Sequence, residues 1–361
     1  QKFISIVKGD GLYGKNRIYN TFMNIKYNNF DVLITTVSGI FMPFKTIGTI
    51  VLVDEENNFY LNENYPYYDA IDVCNYRCDY YNARLVLTSS TPSIENYYNS
   101  ELGDYDLITS GSKIIGNVEV INMKDNIISG SGTIISNRLF NKMKETLDST
   151  KQVMLYDNNK SHTSIIKCRE CGTIVKCPNC NIPLTLYKEK HLAKCNYCDY
   201  KLEQYDTCNK CHSTNIVSYG FGLEQVKEVV DKVFSEYNII QIDSEVLKNI
   251  EEYENALLKI EDGYANIIIG TSILSKNINN SNIGLVAILS ADKLLNSNDY
   301  RASEYTYNSI AKLIHSDNLL IQTYYPNNNI IKYASKGEYD AYYEEEIQKR
   351  KELKYAPFYE I

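Results

Sequence analysis

Eight of the ten cysteines fall between residues 168 and 211, in four Cys-x-x-Cys pairs: Cys168/Cys171, Cys177/Cys180, Cys195/Cys198 and Cys208/Cys211. A pair with two residues between its cysteines sets two thiolates at neighbouring corners of a tetrahedron, and two such knuckles close a structural zinc site. A disulfide framework belongs to small secreted domains, and nothing in the sequence marks secretion. One redox dithiol is chemically reasonable, but four in succession are not. Two Cys₄ zinc sites are therefore expected, and spacing pairs the knuckles. Five residues separate Cys171 from Cys177, a short hairpin around which knuckles meet, and fourteen separate Cys180 from Cys195, near the usual ribbon spacing. So Cys177, Cys180, Cys195 and Cys198 share one ion, and Cys168, Cys171, Cys208 and Cys211 share the other, with the inner ribbon nested in the outer. Sites of this kind supply folding energy that a small core lacks. Saturated by thiolates, they leave no open position for catalysis.

A second candidate is acidic. Residues 49–56 read TIVLVDEE, an apolar run that meets Asp54, Glu55 and Glu56. Carboxylates at a strand end can hold Mg²⁺ and orient a water, as nucleotide hydrolases require. The same pattern is common at strand ends without any chemistry. Cys74 and Cys78 have no His or Cys partner nearby and read as buried or incidental thiols. None of the four histidines is needed as a ligand, since eight cysteines fill both sites.

The elements that must position these residues are legible as short runs rich in β-branched residues: 31–36, 49–56, 83–91, 152–158, 238–243, 265–272, 284–292 and 318–326. They are nearly continuous rather than alternating, which is the pattern of parallel strands buried on both faces. Helical periodicity separates many of them, at 139–149, 223–237 and 255–262 for example. Strands that alternate with helices indicate α/β domains. The expected organisation is one domain over 1–130 and a second over 131–325. The cysteine module at 167–217 is inserted after the second domain's first strand, and a C-terminal region starts at 326. From Gly337 onward the chain is charged and helical in pattern, which reads as a solvated helix or a linker. In parallel sheets ligands collect at the carboxyl ends of strands, where DEE (54–56), SSTPS (89–93) and GTS (270–272) all lie.

Composition narrows the partners. Apolar residues at 44% and charged residues at 23% are ordinary for a folded protein. No apolar run approaches the roughly 18 residues that a membrane helix needs. A net charge of −8 argues against strong non-specific affinity for nucleic acid. Between Lys160 and Cys211 there are nine Lys or Arg and five Asp or Glu. Two Zn²⁺–Cys₄ centres, each carrying two negative charges, cancel that excess, so the module suits a protein partner as well as a DNA strand. The first residue is Gln1, and the chain is expected to begin inside a longer one.

These features together resemble the PriA family, the bacterial primosomal replication-restart helicases of superfamily 2, over nearly the whole chain. The cysteine spacing and the filler in CRECGTIVKCPNCNIPLTLYK and CNYCDY carry the resemblance most specifically. MPFKTIGTIVLVDEEN is similar to the family's DEEH stretch, LVLTSSTPSIENYY to its GSATPS motif, YGFGLEQVKE to G-x-G-T-E, and IIIGTSILSK to GTQMLAKG. ADKLLNSNDYRASE, IQTYYP and YEEEIQKRKELKYAPF also fit. The resemblance implies two RecA-like parallel-sheet lobes closing on ATP, the zinc module in the second lobe, and a cytoplasmic, nucleoid-associated protein. Its implied partners are forked or single-stranded DNA, primosome and helicase-loading proteins, and single-stranded DNA-binding protein. It implies Asp54 and Glu55 as the Mg²⁺ and water residues, Lys276 with them at the ATP site, and Thr91 and Thr271 as DNA contacts.

Departures cluster in the catalytic motifs. No stretch of the chain is a complete G-x-x-x-x-G-K-[ST], the loop whose backbone and lysine cradle phosphates. Asn57 stands for the DEEH histidine, TTVSGIF for GTRSA, DNNKS (157–161) for an arginine pair, Leu223 for a threonine and Asn277 for a glycine. The family's G-R-A-G-R, with its arginine fingers, has no counterpart, a loss of the order of 10³–10⁵ in rate in related NTPases. The expectation is a replication-restart protein that binds forks and recruits the loader, with ATPase and helicase activity weak or lost. The alternative is an active 3′-to-5′ helicase whose phosphate loop lies upstream.

Overall fold

The computed structural model describes residues 6–9, 15–62, 64–109, 115–123, 134–157, 164–171, 173–179, 184–187, 192–194, 200–202, 206–219, 223–242, 250–271, 282–295 and 299–358. The chain separates into two compact units, Gln1–Tyr105 and Asp106–Ile361.

In the first unit β1 (Ile6–Gly9), α1 (Lys15–Lys26) and β2 (Val32–Thr35) form a parallel β-α-β pair. Then come β3 (Thr49–Val53), the short antiparallel β4 (Leu61–Asn62) and β5 (Tyr68–Asp69), α2 (Ala70–Tyr81), β6 (Arg84–Thr88) and α3 (Ile94–Leu102). Strands β3 and β6 pair in parallel from Thr49↔Arg84 to Val53↔Thr88. The caps explain where the helices sit. Asp69 accepts from Ile71 N at the start of α2, and Asn82 ends it in the left-handed region that Asn tolerates. Ile40, Leu52, Ala70 and Cys74 form the core under α2. Cys74 and Cys78 are buried, and burial pushes the Cys74 thiol up to about 11, as befits thiols that act as small apolar side chains. Arg77 on the same helix donates to the carbonyls of Ile40 and Met42, and its guanidinium lies 5.1 Å over the Phe44 ring. It ties the loop before β3 to α2.

The second unit contains β7 (Asn117–Asn122), α4 (Asn137–Asp148) and β8 (Gln152–Tyr156). Five cysteine-module strands follow: β9 (Ser164–Cys168), β10 (Thr185–Tyr187), β11 (Leu192–Lys194), β12 (Lys201–Leu202) and β13 (Ile216–Tyr219). After them come α5 (Leu223–Val233), β14 (Ile239–Ile242), α6 (Ile250–Glu261), β15 (Ile267–Gly270), β16 (Ile283–Ile288), α7 (Asp292–Leu295), α8 (Ala302–Ala311), β17 (Asn318–Thr323), α9 (Asn329–Lys336) and α10 (Tyr339–Leu353). Six strands make an all-parallel sheet in the order β14-β15-β8-β16-β17-β7. Every residue of β8, β15 and β16 is buried, the double-sided burial that their unbroken apolar runs require. The helices present regular stripes to it. On α4 these are Leu139, Met143 and Leu147, with Ser136 capping through Leu139 N; on α5 they are Val226 and Val230, followed by Phe234. The buried amide of Gln322 on β17 bonds the carbonyls of Ile134 and Leu289 and Ser136 N, joining the entry of α4 to the sheet.

The boundary lies at 105/106 rather than near 130, because β7 pairs with β17 along its whole length. The cysteine module therefore follows the second strand of its unit in chain order. The C-terminal region is neither a solvated helix nor a linker. Tyr342, Tyr343, Glu346 and Arg350 of α10 are buried, and the Tyr342 ring stacks on Tyr307 of α8 at 4.2 Å. Arg350, wholly buried, donates to Glu304 at 2.7 Å and Glu346 at 3.2 Å, with its guanidinium 5.2 Å over Tyr300.

Candidate functional sites: a four-cysteine metal centre and an acidic strand end

The outer knuckles meet. The sulfurs of Cys168, Cys171, Cys208 and Cys211 all lie within 4.8 Å of one another, with Cys168–Cys211 and Cys171–Cys208 both at 3.5 Å. Zn–S bonds of 2.3 Å at tetrahedral angles place sulfurs about 3.8 Å apart, so the donor set fits Zn²⁺. Local backbone holds it. Cys168 ends β9, and its N donates to Thr173 O, closing the first knuckle. Cys208 N donates to Ser213 O, His212 N to Cys208 O, and Lys210 N to the Cys208 sulfur at 3.4 Å. His212 turns through the left-handed region, which lets the second knuckle reverse, and so its role here is backbone geometry. Below the knuckles β12-β11-β10-β9-β13 form an antiparallel sheet. Ile166, Leu184, Ala193 and Cys177 form its small core. Of the inner set, Cys177 is buried in that core. Cys180, Cys195 and Cys198 lie outside the described residues, as does Lys276.

The acidic strand end is built by the turn after β3. Asp54, half-buried, adopts φ 55°, uncommon for a non-glycine residue, and the turn closes through Asn57 N to Asp54 O. Asn57, at the position of the family's histidine, accepts from Phe59 N and caps the following helical turn. Glu55 folds back against the SSTPS segment. Its Oε1 accepts from Ser93 N at 2.7 Å, and its Oε2 accepts from Ser93 Oγ at 2.9 Å and from Asn96 Nδ2. Ser93 Oγ in turn accepts from Asn96 N as the cap of α3. Glu55 thus completes the N-terminus of α3, where a carboxylate is favoured by unpaired N–H groups and the helix dipole. Burial pushes its carboxyl above the usual range, and the bonds from Ser93 and Asn96 oppose that rise. Glu56 accepts from Ser89 Oγ at 2.6 Å. The DEE and SSTPS segments are therefore one hydrogen-bonded unit. Ser93 and Asn96 thus hold the Glu55 carboxylate against the start of α3, with one bond to Oε1 and two to Oε2.

The remaining sequence candidates are buried. Thr91 is 4% exposed, with no hydrogen-bond partner for its hydroxyl among the described residues, and Thr271, next after β15, is 3% exposed. Neither presents its side chain at the surface. Sequence reasoning missed what occupies the DNNKS position. Asp157, buried at the end of β8, meets Lys293 of α7 at 2.5 Å, with side chains 0% and 7% exposed. Burial raises the Asp157 carboxyl and lowers the Lys293 ammonium, and each partner opposes the other's shift. The only signal for it was an acid and a lysine at neighbouring strand ends, too common to read.

Residues 177–202 match the family model described as the PriA DNA helicase Cys-rich region domain. Replication restart protein PriA of Borreliella burgdorferi is 30% identical over 358 residues, covering 96% of this chain and 53% of that protein. The Rickettsia felis protein of the same name is 30% identical over 343 residues, covering 91% and 52%. That of Bacillus subtilis is 28% identical over 352 residues, covering 94% and 44%. The chain spans about half the length of the curated relatives it matches. Among solved structures, RecG bound to a three-way DNA junction aligns at TM-score 0.44 and 12% identity, over 96% of this chain and 40% of that one.

Proposed function

Because the chain belongs to the PriA replication-restart family over the stretch it shares with those relatives, we propose that it is the two-lobed, zinc-bearing part of a cytoplasmic, nucleoid-associated protein. In this reading it binds forked or single-stranded DNA and helps recruit the loader of the replicative helicase, with ATP hydrolysis weak or lost. The two units are its RecA-like lobes. The cysteine module holds two structural zinc ions, one on Cys168, Cys171, Cys208 and Cys211, the other on Cys177, Cys180, Cys195 and Cys198. Zinc supplies folding energy there and leaves the chemistry to other residues.

The observation that carries the reading is the contrast between the two motif sets. The outer thiolates converge with zinc-like separations. The acidic box, by contrast, has its Glu55 carboxylate tied to Ser93 and Asn96, while the arginine-finger motif is missing from the sequence. Intact zinc ligands keep the module folded, whereas ATP turnover needs the acidic box faced by arginine.

The test is ATP hydrolysis by the protein with and without forked DNA, with Glu55→Gln as control. The expected result is fork binding with no turnover above the control. Fork-stimulated hydrolysis abolished by Glu55→Gln would favour the alternative, an active 3′-to-5′ helicase, and would refute the scaffold reading.

A further inference from the structure

The four outer cysteines are not equivalent. Cys168 and Cys208 are buried, Cys171 is half-buried and Cys211 is exposed. Cys168 is covered where β9 and β13 pair, since it stands opposite Ile216 in the ladder. The Cys208 sulfur accepts from Lys210 N at 3.4 Å. Cys171 Sγ lies 3.1 Å from Thr173 Oγ1, whose hydroxyl can donate to it once the sulfur is a thiolate. The Cys211 corner is therefore where a small solute from the solvent first meets a sulfur. The two sulfur pairs at 3.5 Å, Cys168–Cys211 and Cys171–Cys208, both run between the knuckles rather than within one.

A zinc-bound cysteine is a thiolate, and oxidation favours thiolates that solvent can reach. We propose that Cys211 is a modification site for hydroperoxides, and that its oxidation ends in a disulfide with Cys168 that releases the outer zinc. In the first step the Cys211 sulfur attacks the peroxide. An S–O bond forms, the O–O bond breaks and hydroxide leaves, so the sulfur is oxidised to a sulfenic acid and the peroxide is reduced. In the second step the Cys168 thiolate, 3.5 Å away, attacks that sulfur. The S–S bond forms, the S–O bond breaks and a second hydroxide leaves. Only Cys171 and Cys208 then remain for the metal, and a site short of two thiolates loses most of its affinity. The new bond crosses between knuckles. It joins the end of β9 to the second knuckle just where zinc would join them, so the stem stays closed while the metal is gone. A dithiol, itself oxidised to a disulfide, and fresh zinc restore the site. The proposal rests on the zinc reading of the outer cysteines and adds a reactivity to it.

The experiment adds hydrogen peroxide to the zinc-loaded chain. Zinc release is read by the colour of 4-(2-pyridylazo)resorcinol, the products are mapped as peptides by mass spectrometry without reduction, and dimedone traps sulfenic acid in a parallel sample. The expected result is loss of one zinc per chain in step with a Cys168–Cys211 linked peptide, and a dimedone adduct on Cys211. Dithiothreitol with added zinc should return the metal and remove the link. Cys211→His keeps a zinc ligand but has no sulfur at that corner, and it should hold its outer zinc at a peroxide dose that empties the unaltered chain. The proposal is overturned, with the zinc site itself left standing, if the outer disulfide forms within a knuckle, as Cys168–Cys171 or Cys208–Cys211. It is overturned equally if dimedone marks Cys171 ahead of Cys211, or if the outer zinc stays in place under peroxide. If the chain carries no zinc on the outer cysteines before peroxide is added, the zinc assignment falls and this inference with it.

Discussion

Replacing Arg350 by methionine should detach α10 from the second unit. The guanidinium is wholly buried between Glu304 of α8 and Glu346 of its own helix, at 2.7 and 3.2 Å, and covers the Tyr300 ring. Methionine fills much of the volume but removes the buried cation between the two carboxylates, leaving Glu346 only the more distant Lys349 ammonium at 3.6 Å. Breaking a buried pair from one side costs about 3–5 kcal/mol. In a unit of this size each kcal/mol is worth roughly 2–4 °C, so the melting temperature should fall by roughly 6–20 °C. Protonation relieves an uncompensated buried carboxylate, so the defect should shrink between pH 8 and pH 5. The triple variant Arg350→Met, Glu304→Gln, Glu346→Gln removes both the cation and the stranded charges and should recover most of the loss. The assay is urea unfolding of each variant at both pH values, with limited proteolysis at the lysines near the end of α10. A loss below about 1 kcal/mol with α10 still protected, or a triple variant no better than the single one, would refute the reasoning.

Elemental analysis should find two zinc ions per chain, and Cys208→Ser should lower the count to one, because a knuckle short of a thiolate loses most of its affinity; a count near zero in the unaltered chain would overturn the nested sites. Glu55 gives a pH signature. Its folded carboxyl is raised above the ordinary 4.5, so the folded state holds that proton more tightly, and stability is lost as pH rises from the unfolded value through the folded one. Glu55→Gln should flatten this part of the stability profile in urea melts across that window, and parallel profiles would contradict the assignment.

Strands of the parallel sheet were legible because their signal is crude and strong. VMLY, IIIG and GLVAI are apolar throughout, and only double-sided burial accounts for that. The strand NVEVIN was missed since it lies at the sheet edge, where Glu119 faces outward to pair with Arg138 at 2.7 Å and breaks the run. Helix α10 was misread for a related reason. Its burial rests on two tyrosines and a charge network rather than on an apolar stripe, and a Glu or Arg in a sequence does not announce its partner. The outer knuckles were legible because Cys-x-x-Cys is a local geometric unit. What Glu55 does was not, because Ser93 and Asn96 reach it only once β3 and β6 lie side by side.

The paired stem of the cysteine module has a consequence for how the second unit folds. Strand β9 leaves just after β8, and β13 returns just before α5, bonded antiparallel from Cys168↔Ile216 to Ile165↔Tyr219. The two ends of a long excursion are thereby held together by a ladder, and zinc on the outer cysteines would clamp them above it. Shortening the effective loop between β8 and α5 about fivefold lowers its closure entropy by about 1.5 kcal/mol. Zinc that binds early would turn a distant pair of elements into near neighbours along the chain. Early zinc binding would then act on the folding rate, bringing α5 back toward the strand it covers.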